Sequence, residues 1–151
     1  MADRQVLLDE EIQKQIRDAF KDLEQPVEIA FWRNGVEVNL DADETQQLLE
    51  EVVQLDDRLF LKVYDLQKDV NLAHEMHITK TPAFGLIGLN GVERVDYGLR
   101  FLGTPSGHEF SALIHDLIRV SRRNSGLSQE TRDFLSSLKE PVLLQVFSTP
   151  T

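Results

Sequence analysis

One junction constrains this chain more than any other. Ile78-Thr79-Lys80-Thr81-Pro82, a short polar turn, runs straight into the apolar stretch Ala83-Phe84-Gly85-Leu86-Ile87-Gly88-Leu89. Proline has no N–H to give to a sheet ladder and pushes the residue before it out of the helical region. Thr81 is therefore predicted to be extended, with Pro82 at the very start of a strand, at an edge or a corner. The run that follows is short and continuously apolar, the pattern of a strand buried on both faces. It closes at Asn90-Gly91, a favoured hairpin pair, so Val92 to Tyr97 is predicted to return alongside it.

The flanking sequence supplies alternating helices and strands. Asp9 is placed to cap a helix with Glu10 and Glu11 in its first turn, where the helix dipole favours acids. Ile12, Ile16, Ala19, Phe20 and Leu23 form one apolar stripe, and Pro26 ends the helix. Val27 to Trp32, rich in β-branched and aromatic residues, reads as a strand. Two readings stay open for residues 33–43. Asn34-Gly35 between Phe31-Trp32 and Val36-Glu37-Val38 is a hairpin signal, and the same residues also suit a loop into the next helix. That helix has Asp41 or Asp43 as cap and Leu48, Leu49, Val52 and Leu55 on one face. Leu59 to Tyr64 is a second strand and Val70 to Met76 a short helix. Ser106-Gly107-His108-Glu109 has the form of a capping box, with Phe110, Leu113, Ile114, Leu117 and Ile118 at helical spacing behind it. Arg122 to Gly126 is a linker, Ser128 starts a further helix, and Pro141 ends it ahead of a strand at Val142 to Phe147. Alternation followed by a strand pair argues for α/β layers around a mixed sheet.

Composition removes whole classes of function. A chain of 151 residues suits one domain, and its net charge of −10 is the wrong sign for nucleic acid or an anionic membrane surface. No apolar run approaches the roughly 18 residues of a membrane span, and the N-terminus has no signal-peptide core, so a cytoplasmic address is expected. There is no cysteine. The chain therefore has no disulfide, no thiolate nucleophile and no cysteine-held metal.

The two ends of the sequence repeat one another. Arg17-Asp18-Ala19-Phe20-Lys21-Asp22-Leu23-Glu24-Gln25-Pro26-Val27 and Arg132-Asp133-Phe134-Leu135-Ser136-Ser137-Leu138-Lys139-Glu140-Pro141-Val142 agree at five positions under one constant offset. Each segment is helix, proline, strand. Junction chemistry accounts for the Pro and Leu matches but not for the Arg-Asp pair. A second copy of the same unit beginning near Ser128 accounts for all of them. The domains expected are thus 1–125 and, from 126 to 151, the helix and first strand of a second unit.

A family resemblance enters through Arg100-Phe101-Leu102-Gly103-Thr104-Pro105-Ser106-Gly107-His108-Glu109-Phe110. This stretch resembles the R-F-x-G-x-P-x-G-x-E-F segment of the tandem, glutaredoxin-like protein disulfide oxidoreductases. It also resembles that of the N-terminal domain of the alkyl hydroperoxide reductase flavoprotein subunit. Val142 to Thr151 is similar to the strand and loop that lead, in those proteins, into the C-P-Y-C of the second half, and Ile78 to Pro82 to the cis-proline loop of the first. The resemblance implies a thioredoxin-like fold with a cis Thr81–Pro82 bond. It also places Asn39 and Ala42 where the cysteines of a first-half C-x-x-C would stand. Neither residue can become a thiolate. The implied role is that of a cysteine-free unit in a thiol–disulfide oxidoreductase system serving cell redox homeostasis.

Other sites read more simply. His74 and His77 are spaced three apart, whereas the usual zinc helix spaces its histidines four apart and adds a third ligand, so they read as a solvated pair. His108 and His115 read as half-exposed packing residues. Asp41, Asp43 and Glu44 suit a cap and an acidic first turn. No metal or cofactor is expected. Trp32 is taken, with Thr81 and Pro82, as a candidate lining of a substrate groove, although burial in the core also suits it. The partners expected are an active thioredoxin-like unit or a protein substrate. A module that binds peptides by itself through the cis-proline groove is the alternative. For residues 142–147 two arrangements are open: folding back onto the domain's own sheet edge, or pairing with a copy across a two-fold axis, which is the reading preferred.

Overall fold

The computed structural model describes residues 5–35 and 39–149. Asp9 caps α1 (Glu10–Phe20), its carboxylate accepting the Ile12 N–H at 2.8 Å. Beyond Pro26 the chain enters β1 (Val27–Arg33), and α2 (Leu40–Val53) then crosses over to β2 (Leu59–Asp65). The short α3 (Val70–Glu75) leads to β3 (Ala83–Asn90) and its hairpin mate β4 (Glu93–Leu102). After these come α4 (His108–Arg122) and α5 (Gln129–Ser136).

The four strands form one mixed sheet in the order β2-β1-β3-β4, with β1 parallel to β2 and antiparallel to β3. Both edges of β1 are therefore taken, Trp32 standing opposite Tyr64 on one side and Ala83 on the other. A hairpin returning along β1 would have no edge to join. Val36, Glu37 and Val38, on which that reading falls, lie outside the described residues. Gly35, just before them, takes φ +61°.

Strand alternation sorts the side chains onto two faces. Val27, Ile29 and Phe31 share a core with Ile16 and Phe20 of α1, Leu49 and Val52 of α2, and Leu113 and Leu117 of α4. Ala30 and Trp32 join Tyr64, Ala73, Met76, Ile78, Ala83 and Ile87 under α3 on the other face. One charged side chain is buried there: Glu28, held by Arg94 at 2.8 Å and by the Tyr64 hydroxyl at 3.2 Å.

Several local expectations need correction. The cap of α2 is Asn39, not Asp41 or Asp43. An amide oxygen two residues upstream of Asp41 reaches the Ala42 N–H first, and both aspartates fall inside the first turn. Ser106 does not form a capping box. Gly107, at φ +54°, holds the cap position of α4 without a side-chain bond, and Glu109 donates its N–H to the Ser106 carbonyl instead. β4 runs on past Tyr97 because three residues, Tyr97 to Leu99, oppose the single Leu86. Gly98 at φ +79° gives this bulge its bend. His108 and His115 are exposed rather than half-exposed.

The largest difference lies after α5. Residues 142–147 are not a strand: the segment has no regular structure and its side chains face solvent. A strand needs a ladder partner, and neither outer edge of the sheet receives it. No helix among the described residues is long and apolar enough to cross a membrane.

Candidate functional site

The Thr81–Pro82 peptide bond is cis. Pro82 turns the chain into β3, and its carbonyl accepts the Gly103 N–H at 2.9 Å. Gly103 takes φ +80° just after β4, a conformation that suits only glycine without strain. The next residue, Thr104, reaches across to α2, where its hydroxyl lies 2.7 Å from that of Thr45. Thr45 is fully buried and donates to the Asp41 carbonyl at 2.6 Å. One continuous set of hydrogen bonds thus ties the cis-proline loop to the first turn of α2 through the β4–α4 connection.

Asn39 and Ala42 stand at the end of α2 that this network fixes. The Asn39 side-chain oxygen accepts the Ala42 N–H at 3.1 Å, Asn39 itself being exposed and Ala42 buried. Arg33, at the end of β1, donates to Gln46 and to Asp43, both at 2.8 Å, and so holds the next turn against the sheet. Behind it, N–H groups of Gln67 and Gly35 point at the Asp65 carboxylate and hold its pKa below the usual range, aided by Lys68 and opposed by partial burial.

Of the residues read from sequence as groove-lining, Thr81 and Pro82 are half-buried at the mouth of this arrangement. Among the described residues no hydrogen bond is made by Thr81. Trp32 is different. It is fully buried and stacks on Tyr64 with centroids 4.8 Å apart, beside its strand partner Ala83. Its ring lies within the cluster under α3, the core placement that the sequence also allowed. Its indole N–H has no hydrogen-bond partner among the described residues. His74 and His77 do not share a helical face, because His77 lies past the end of α3 at φ +56°. Among the described residues no three acidic or histidine side chains gather where they could hold a metal.

Thr45, Gly103, Thr104 and Arg33 were missed from sequence. A signal existed for Thr45, since it lies three, four and seven residues before Leu48, Leu49 and Val52. That places a hydroxyl inside the buried stripe of α2, where it needs a partner.

The architecture has counterparts among solved structures. It superposes on the alkylhydroperoxide reductase AhpF of Enterococcus faecalis with a TM-score of 0.76 and 22% identity, over 89% of this chain and 62% of that one. A separate structure of that protein's N-terminal N/C domain gives 0.73 and 22%, covering 83% of this chain and 58% of that one. This is a thioredoxin-like fold. A protein disulfide oxidoreductase of Aeropyrum pernix K1 shares it at a TM-score of 0.73 and 24% identity, over 87% of this chain and 56% of that one. In sequence, the thioredoxin-like chain is 28% identical over 124 residues to the alkyl hydroperoxide reductase AhpF of Xanthomonas campestris pv. phaseoli. That alignment takes in 82% of this chain and 20% of the relative's length. No protein-family model matches the chain.

Proposed function

We propose that this chain is a non-catalytic thioredoxin-like domain of a cytoplasmic thiol–disulfide oxidoreductase system. Its task is to scaffold an active dithiol unit and to offer that unit's substrates part of a groove. The observation that carries this reading is a cis-proline loop tied by hydrogen bonds to the N-terminal turn of α2, where we take Asn39 and Ala42 to stand in place of sulfur. Thiol–disulfide exchange proceeds by thiolate attack, and no residue of this chain supplies a thiolate. The parts that recognise an extended chain remain. Thr81 presents unpaired backbone groups, and the Pro82–Gly103 and Thr45–Thr104 bonds hold that loop against α2. The 28% identity to an alkyl hydroperoxide reductase AhpF supports a redox setting.

The same free backbone at Thr81 favours a second reading, a stand-alone module that adds an extended peptide by strand-like pairing. One titration separates the two. The ¹⁵N-labelled chain is titrated first with a cysteine-free extended peptide and then with a separate dithiol thioredoxin-like protein. Shifts at Asn39, Ala42, Thr81, Gly103 and Thr104 with both support the scaffold; shifts with the peptide alone support the module. Absence of shifts at these residues with either would overturn both.

A further inference from the structure

Two of the asparagines in this chain precede glycine, as Asn34-Gly35 and Asn90-Gly91. The backbone nitrogen that follows an asparagine can attack the side-chain amide carbon. Glycine, with no Cβ, puts least in the way of that approach. Both asparagines are exposed, and both glycines take φ +61°. Nothing lies within 4 Å of where a Cβ would stand on either glycine, so neither pair lacks room for ring closure.

The attacking nitrogen separates the two. Gly35 donates its N–H to Asp65 Oδ1 at 3.3 Å, and the same oxygen accepts the Gln67 N–H at 2.9 Å. Attack requires the nitrogen to give up its proton, and a carboxylate against it opposes the negative charge that builds there. Asp65 is also a poor base for the step, because the Gln67 N–H, with that of Gly35, holds its pKa below the usual value. Among the described residues nothing accepts the Gly91 N–H. Asn90 ends β3, and its amide nitrogen makes one long contact, to Glu93 Oε2 at 3.5 Å.

We propose that Asn90 is a site of spontaneous deamidation and that Asp65 shields Asn34 from the same reaction. The Gly91 nitrogen bonds to the Asn90 side-chain carbon. The bond from that carbon to the amide nitrogen breaks, and the proton displaced from Gly91 leaves with it as ammonia. Water then opens the cyclic imide at one of its two carbonyls, giving aspartate or isoaspartate, with nothing oxidised or reduced. Either product sets a negative charge at position 90, directly opposite Glu93 across the hairpin, where like charges destabilise pairing. Isoaspartate also adds a methylene to the backbone, at a turn that sets the register of β4 against β3.

Incubation of the full chain at mildly alkaline pH tests this, followed by peptide mapping with electron-transfer fragmentation, which tells asparagine, aspartate and isoaspartate apart at each position. The same chain in denaturant gives the rate of each pair without the fold. Native Asn90 is expected to convert within about tenfold of its unfolded rate, and Asn34 to be slowed by about tenfold or more, the scale of one hydrogen bond to a charged group. Asp65→Ala should release Asn34 to near its unfolded rate and leave Asn90 unchanged. Asn90→Asp, the direct product, should melt below the parent, and an unchanged melting temperature overturns the consequence drawn from Glu93. Native Asn90 that stays as intact as Asn34 overturns the proposal, since the turn itself then blocks the attack. An Asp65→Ala protein that folds and still spares Asn34 overturns the shielding. Should that variant not fold, hydrogen exchange in the parent decides: Gly35 is expected to be protected and Gly91 not, and equal exchange at both overturns the shielding as well.

Discussion

A side-chain oxygen that reaches the backbone three residues on fixes where two side chains sit, and Asn39 does this to Ala42 at 3.1 Å. Cysteines placed at both positions would stand about one helical turn apart, within the roughly 7 Å between Cα atoms that a disulfide can span. The double variant Asn39→Cys, Ala42→Cys is expected to close a disulfide under mild oxidation with the fold intact, as read by mass spectrometry and circular dichroism. A bond that never forms would show that the positions assigned to the missing dithiol are wrong. Carboxylates set a second expectation at this scale. Asp96 is held below its ordinary value of 3.8 chiefly by hydrogen bonds from Arg100, and Asp56 by those from Arg58, burial opposing both. As pH falls, the unfolded chain takes up these protons first. The stability they contribute is therefore full above the ordinary value and is lost as pH drops through the lower, folded one. Melting temperatures followed from pH 5 down to about 2.5 should fall less steeply in Asp96→Asn and Asp56→Asn than in the parent.

At the scale of elements, the end of α4 is held by an arginine rather than by a glycine cap. Arg123 takes a left-handed conformation, and its guanidinium donates to the carbonyls of Val120, Leu89 and Pro26, so one side chain gathers α4, β3 and the approach to β1. Gly88 makes room for it, since a Cβ there would come within 2.5 Å of the guanidinium. Gly88→Ala and Arg123→Ala are each expected to destabilise the protein by about 1–3 kcal/mol in denaturant titration. The double variant should lose much less than the sum, because each single change already dismantles the same clasp. Most elements were legible because their side chains repeat at strand or helix period. The stripe of Leu48, Leu49 and Val52 and the run after Pro82 named their structures from sequence alone. Caps were not, because several polar residues compete within one turn: Asn39 stood ahead of Asp41, and Gly107 displaced Ser106. The strand expected at 142–147 failed for another reason. Its pattern is that of a strand, but a strand also needs a neighbour, and no residue pattern states whether one is at hand. Trp32 shows the limit for the site, since an aromatic at a strand end suits a groove and a core equally well. Only the position of α3 decides between them.

For the molecule as a whole, the two faces of the sheet are unequally covered. Helices α1, α2 and α4 close one face, while α3 alone covers part of the other and leaves Phe60 and Lys62 of β2 exposed. The centre of the sheet is β1, and every partner it has lies far along the chain. β2 comes only after the α2 crossover, and β3 pairs Val27 with Gly88 and Trp32 with Ala83. The β3–β4 hairpin, closed by a tight turn at Gly91, asks for no such search. Order of assembly follows from this contrast. The hairpin closes on the microsecond scale of local structure, and the central strand docks after long loops have been closed. The strand that occupies the middle of the finished protein is thus among the last to arrive. Chevron plots should show it: Val95→Ala in the hairpin slows folding, whereas Ile29→Val in β1 leaves the folding rate nearly unchanged and speeds unfolding.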